Sequence, residues 1–84
     1  MKAEEAMPIV NGSDRVLRLK QVQERTGLGR STIYDRLNPR SSRFDDSFPR
    51  PFKLGLSAVG WLESSVDEWI ALRASEVVLY QERH

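Results

Sequence analysis

Apolar positions along the chain fall into three groups with different spacings. In the first, Leu19, Val22, Leu28, Ile33 and Leu37 are separated by polar or charged residues, at intervals that put them on one face of two short helices. The first helix is predicted over Leu19 to Thr26, burying Leu19 and Val22, with Thr26 closing its last turn. Arg18 stands where Ser, Thr, Asp or Asn would cap it well, so a poor N-terminus is expected. Gly27 is the stop signal, because glycine enters the left-handed region that other residues adopt reluctantly. The second helix is predicted over Arg30 to Leu37, with Gly29 as its N-cap, and Asn38-Pro39 ends it.

The second group alternates. Between Phe48 and Trp61, Phe52 and Leu54 flank Lys53 on one strand and Val59 and Trp61 share a face on the next, with Gly55 to Ser57 as the connection. Pro49 and Pro51 require an exposed edge at the start of the first strand. The third group, Val66, Trp69 and Ile70, returns to helical spacing. A last helix opening near Ser64 is expected to close the core over the hairpin, with Ser64-Ser-Val-Asp67 resembling a capping box. Val16 and Leu17 begin the core, and Trp61 and Trp69 both read as core. The whole is a mainly α domain with one small β-hairpin: a winged helix-turn-helix over residues 15–74. Residues 1–14 read as a flexible N-terminal arm, and residues 75–84 as a C-terminal tail or helix extension.

Composition narrows the function. An 84-residue chain is one small domain with little room for a deep pocket. It has no cysteine, and its single histidine is His84, so nucleophile–histidine dyads and the usual zinc sites lack their residues. Gly27-Leu-Gly29 is too short for a phosphate-cradling loop. We read a non-enzyme with no cofactor. No apolar run is long enough to span a bilayer, and the expected location is the cytoplasm.

Charge changes the picture more. Arg15 to Leu56 holds ten Lys or Arg against four Asp or Glu, and the remainder holds three against eight, which together make the net +1. Eight of those ten basic residues are arginine, whose fork matches phosphates and guanine edges. A positive middle between acidic ends suits a nucleic-acid reader, for which the helix-turn-helix makes double-stranded DNA the expected partner; the alternative is a solvated face of mixed charges.

On a helical projection, Ile33 and Leu37 face the first helix. Ser31 and Asp35 point away, Thr32 and Tyr34 lie on the shoulders, Arg36 lies to the side and Arg30 sits in the first turn. Each of these outward side chains can donate to a phosphate or contact a base edge, and Asp35 is the awkward member because its carboxylate repels phosphate. It either accepts from a cytosine amino group or holds a neighbouring arginine, and we favour the second. Arg50, Lys53 and Ser57 are the wing's candidates. Arg40 and Arg43 lie in a polar loop from Arg40 to Ser47 and are within reach of phosphates on one reading, merely solvated on the other. Asp45 and Asp46 lack every residue that would make them metal ligands or an acid–base pair, and read as solvated.

Four blocks carry a resemblance: Leu17-Arg-Leu-Lys-Gln-Val22, Thr26-Gly-Leu-Gly-Arg-Ser-Thr-Ile-Tyr34, Phe48-Pro-Arg-Pro-Phe-Lys-Leu-Gly55 and Val59-Gly-Trp-Leu-Glu-Ser-Ser-Val-Asp-Glu-Trp-Ile70. In this order and spacing they resemble the AlpA family of prophage-associated regulators, related to excisionases and MerR-like winged helix-turn-helix domains. The resemblance implies a small bacterial DNA-binding protein of the nucleoid, encoded on phage or genomic islands. It would activate transcription, often of an integrase gene. It places the groove-reading helix on Arg30 to Leu37 and the wing on Arg50 to Ser57. The loop from Asn38 to Ser47 is longer than in the shortest members. Two other functions compete: an excisionase-type factor that bends DNA for recombination, and an interaction module of a phage packaging complex. A single short helix grips weakly, so a homodimer or cooperative oligomer on repeated sites is expected.

Overall fold

The computed structural model describes the backbone of residues 14–82 and the side chains of residues 14–76. The predicted N-terminal arm lies almost wholly outside the described residues. The elements run β1 (Val16–Leu17), α1 (Leu19–Thr26), α2 (Arg30–Leu37), β2 (Phe52–Lys53), β3 (Val59–Leu62) and α3 (Glu63–Glu82).

Both helices of the helix-turn-helix have the predicted bounds. Their turn is held by two devices. Gly27 takes φ 75° and donates its N–H to the carbonyl of Gln23 at 2.8 Å. The Thr26 hydroxyl donates to the carbonyl of Val22 at 2.7 Å and accepts the Leu28 N–H at 3.2 Å. The poor cap at Arg18 is partly repaired. Its side chain has no acceptor to offer, but Gln21 Oε1 accepts the Arg18 N–H at 2.8 Å, which is the returning half of a capping box.

The hairpin is shorter than its sequence pattern. β2 is only Phe52–Lys53, paired antiparallel with β3 in the register Phe52 with Gly60 and Lys53 with Val59. Leu54 and Gly55 both donate N–H to the carbonyl of Ala58, so the connection runs from Leu54 to Ala58. β1 completes a three-stranded sheet in the order β1-β3-β2, with Val16 opposite Leu62 and Leu17 opposite Trp61. Alternation on that strand divides the two residues expected in the core: Leu17 is buried and Val16 is exposed on the outer face. Gly60 is needed at the centre of the sheet. A Cβ there would stand 2.6 Å from Val16 Cγ1 and 3.2 Å from the carbonyl oxygen of Leu17.

α3 begins at Glu63, one residue before the predicted opening, and Ser64 does not cap it from within. Asp14, two residues before Val16 and so level with Ser64 across the antiparallel β1–β3 pair, does so instead. Its carboxylate accepts the Ser64 N–H at 3.1 Å and the Ser64 hydroxyl at 2.6 Å, and these bonds, the hydroxyl's foremost, lower its pKa. The helix is continuous to Glu82, 20 residues or about 30 Å.

Leu17, Val22, Ile33, Phe48, Trp61, Val66 and Trp69 form one buried cluster, with Leu19, Leu28, Leu37 and Ile70 packed around it. Both tryptophans are core, as expected, and each indole N–H has a partner: Trp61 donates to the carbonyl of Pro49 at 3.0 Å and Trp69 to Asp45 Oδ2 at 3.1 Å. Phe48 meets Trp69 edge-on at 4.9 Å between ring centroids.

The polar loop after α2 is therefore not merely solvated. Asn38, Ser41 and Asp45 each accept the N–H two residues ahead, at 3.0, 3.1 and 2.9 Å. Asp45 also accepts the Ser47 hydroxyl at 2.6 Å and the Trp69 indole. The solvated reading fails for Asp45 because this loop folds back onto α3; it holds for Asp46, which is exposed.

Candidate nucleic-acid interface

Basic residues divide by whether a carboxylate holds them. Arg25 bonds both Glu63 and Asp67, joining the end of α1 to the start of α3, and the Glu63 bond foremost raises its already high pKa. Arg15 pairs with Glu63 at 3.6 Å, Arg43 with Asp35 at 3.7 Å, Arg36 with Asp45 at 4.0 Å and Arg73 with Glu76 at 2.9 Å. Arg18, Lys20, Arg30, Arg40, Arg50 and Lys53 have no carboxylate partner among the described residues. A cation held in this way has spent part of its attraction inside the fold; one without a partner presents its full charge to an anion.

α2 places its residues as its periodicity requires. Ile33 is buried, Ser31 and Arg30 are exposed, Tyr34 is 44 % exposed and Thr32 is half-buried. The Arg30 guanidinium lies 5.6 Å above the Tyr34 ring, which orders both on the exposed face. Asp35 has a neighbouring arginine, as favoured, and it comes from the loop rather than from α2: the partner is Arg43.

Arg36 is turned elsewhere. Its guanidinium lies 5.8 Å from the Trp69 ring centre, Arg73 lies 5.7 Å from the same centre, and Asp45 is alongside. The Nε atoms of Arg36 and Arg73 are buried without a partner. Both chains cover the indole with their stems and planes, a packing role for Arg36 that a projection of α2 alone does not reveal. Arg50 sits 5.7 Å above the Phe44 ring, at the root of the hairpin rather than its tip. Lys53 and Ser57 are exposed on the wing, and Leu56 at its tip is fully exposed.

Three of the predicted residues meet. Arg30, Tyr34 and Ser57 line an open cleft of about 770 Å³ between α2 and the wing. Its remaining walls come from α1 and the turn, including Arg18, Lys20, Gln23 and Glu24. Sequence reasoning did not single these out. Their signal was present, since Lys20, Gln23, Glu24 and Gly27 recur at the spacing of one helical face, but the helix was read only for its buried side. Arg18 also ties the wing in place: its Nε–H donates to the carbonyl of Val59 at 3.1 Å.

Among the described residues no group of three or more His, Cys, Asp or Glu side chains comes together as a metal site, and no helix is long and apolar enough to cross a membrane.

The comparisons with known proteins agree with the four sequence blocks. The family described as "Prophage CP4-57 regulatory protein (AlpA)" matches residues 15–74. The "DNA-binding transcriptional activator AlpA" of Escherichia coli (strain K12) is 51% identical over 59 residues, which are 70% of this chain and 84% of that protein. The "Uncharacterized protein ORF88" of Enterobacteria phage P4 is 38% identical over 60 residues, 71% of this chain and 61% of that protein. No solved structure gives a significant match. The chain belongs to the AlpA family of prophage regulatory proteins.

Proposed function

We propose that this chain is a sequence-specific DNA-binding protein that activates transcription from a prophage or genomic-island element, such as its integrase gene. Family membership makes it a prophage-type regulatory protein. The single observation that carries the specific reading is the shared cleft. The exposed polar face of α2, with Arg30 and Tyr34, and the wing, with Ser57, border the same cation-rich opening. In this reading α2 enters a major groove, where Ser31, Thr32 and Tyr34 meet base edges, and the wing lies along the neighbouring backbone with Lys53 and Ser57. Asp35 and Arg43 act as a pair at the edge of that surface.

An activating role is supported by the 51% identical relative, which is itself named a transcriptional activator. Eight helical residues reach only a few base pairs, so the protein binds as a homodimer or cooperatively on repeated sites. Footprinting on the element's integrase promoter and attachment site, with transcription measured in parallel, tests the proposal. Protection at the promoter with increased transcription is expected. Protection confined to the attachment site, with excision stimulated and transcription unchanged, would replace the activator by an excisionase-type factor.

A further inference from the structure

We propose that the cleft between α1, the helix-turn-helix turn and the wing seats the DNA backbone. Arg18 and Lys20 would be its main phosphate ligands, with Arg18 also setting the angle between wing and reading helix. This rests on the reading of α2 and the wing as DNA-contacting elements, and it adds Lys20 of α1 and Arg18 just before it, which that reading does not use. Adjacent grooves of a duplex are separated by one sugar-phosphate strand. A helix in one groove and a wing at the next must therefore leave that strand room to pass between them, and the open cleft is bordered by both elements.

The cleft's chemistry fits that occupant. Arg18, Lys20 and Arg30 stand against one acid, Glu24, and none of the three has a carboxylate partner among the described residues. Gln23 and Ser57 add neutral donors. The Arg18 guanidinium is held on one side only. Its Nε–H is on the Val59 carbonyl at 3.1 Å, which leaves the outer N–H groups of the fork for phosphate oxygens. One side chain thus joins the first residue before α1, the returning strand of the wing and the DNA strand between them. A lysine at position 18 would keep the charge and lose this fixed fork.

The test uses the full chain and a labelled duplex carrying the site mapped by footprinting, with anisotropy titrations over a range of salt. Lys20→Gln and Arg18→Gln should each weaken binding to cognate and random DNA by about tenfold. Each should also lower the salt slope by about 0.9, the share of one neutralised phosphate. Arg18→Lys should keep the slope and narrow the cognate-to-random ratio, because the wing's angle is no longer fixed. Arg15→Gln, which removes a cation already paired outside the cleft, should change neither.

Methylphosphonate substitution of the phosphates between the two protected grooves should weaken the wild-type chain, and weaken the Arg18→Gln/Lys20→Gln chain much less. Equal losses in the two chains, or a wild-type chain indifferent to those phosphates, would overturn the seat. A wild-type chain with no preference for any DNA of the element would instead sink the underlying DNA-reader assignment, so the two failures are distinguishable. Thermal melts of each variant separate a binding defect from a folding defect.

Discussion

The indole Nε1–H of Trp69 donates to Asp45 Oδ2 at 3.1 Å, joining the loop after α2 to the second turn of α3. Asp45 is 24 residues away in sequence, its side chain is only 15 % exposed, and it also holds Ser47 through amide and hydroxyl. The loop that separates α2 from the wing is therefore anchored at one carboxylate.

Asp45→Ala leaves the indole N–H and two Ser47 donors without their acceptor, and it should lower stability by about 1–3 kcal/mol. Trp69→Ala removes the ring that Phe48, Arg36 and Arg73 pack against and should cost on the order of 3–5 kcal/mol, enough to unfold a domain of this size. Urea denaturation measures both. An Asp45→Ala midpoint equal to the wild type would remove the anchor from the account.

The same carboxylate predicts a pH dependence. Burial raises its pKa, but the Ser47 hydroxyl and amide, the Trp69 indole and the nearby charge of Arg73 outweigh burial and bring it below the ordinary 3.8. With the folded value below the unfolded one, the stabilisation is present above the unfolded value and disappears as pH falls through the folded value. The stability difference between wild type and Asp45→Asn should therefore be flat down to about pH 5 and shrink below about pH 4. A difference that grows as pH falls would contradict the sign. Asp14 shifts in the same direction through Ser64 and belongs to the same acid window.

Gly60→Ala places a methyl 2.6 Å from Val16 Cγ1, 3.1 Å from Leu54 Cδ1 and 3.2 Å from the Leu17 carbonyl. A destabilisation of about 1–3 kcal/mol is expected from this overpacking. Val16→Ala in the same chain should recover part of it, since the closest clash is with that side chain and the backbone clash remains. Thermal melts of the two single variants and the double give the coupling directly; additive losses would place the strain elsewhere.

On α2, Ser31→Ala with Thr32→Ala should weaken cognate binding more than random binding, whereas Lys53→Ala should weaken both alike and flatten the salt dependence. Equal losses on both DNAs for the helix variant would move the reading surface off α2.

Arg36→Ala separates packing from recognition. With its guanidinium over Trp69 and beside Asp45, its loss should appear as about 1 kcal/mol of stability. The cognate-to-random ratio, measured well below the melting temperature, should stay constant. A collapse of that ratio with unchanged melting would return Arg36 to the reading face.

The helix-turn-helix was legible in the sequence because its determinants are local. Gly27 stops one helix, Gly29 admits the next, Pro39 ends it, and the apolar spacing from Leu19 to Leu37 says which sides face inward. The wing was legible from Phe52, Leu54, Val59 and Trp61, and membership of the family from the four blocks. What stayed hidden depended on partners far along the chain. β1 is two residues long and is a strand only because β3 pairs with it. Asp14, assigned to an arm, caps a helix 50 residues later. Asp45 and Arg36 have no local reason to bury their polar ends, and do so because Trp69 arrives from α3.

The candidate site divides in the same way. The sequence by itself determined the fold class, the exposed polar face of α2 and the excess of cations, since periodicity and composition are properties of the chain. The tertiary structure alone decided which cations remain without carboxylate partners, and that Arg18 and Lys20 stand at the same opening as Arg30 and Ser57. Ion pairing and the width of a cleft depend on distances between elements, and those are set only when the core closes.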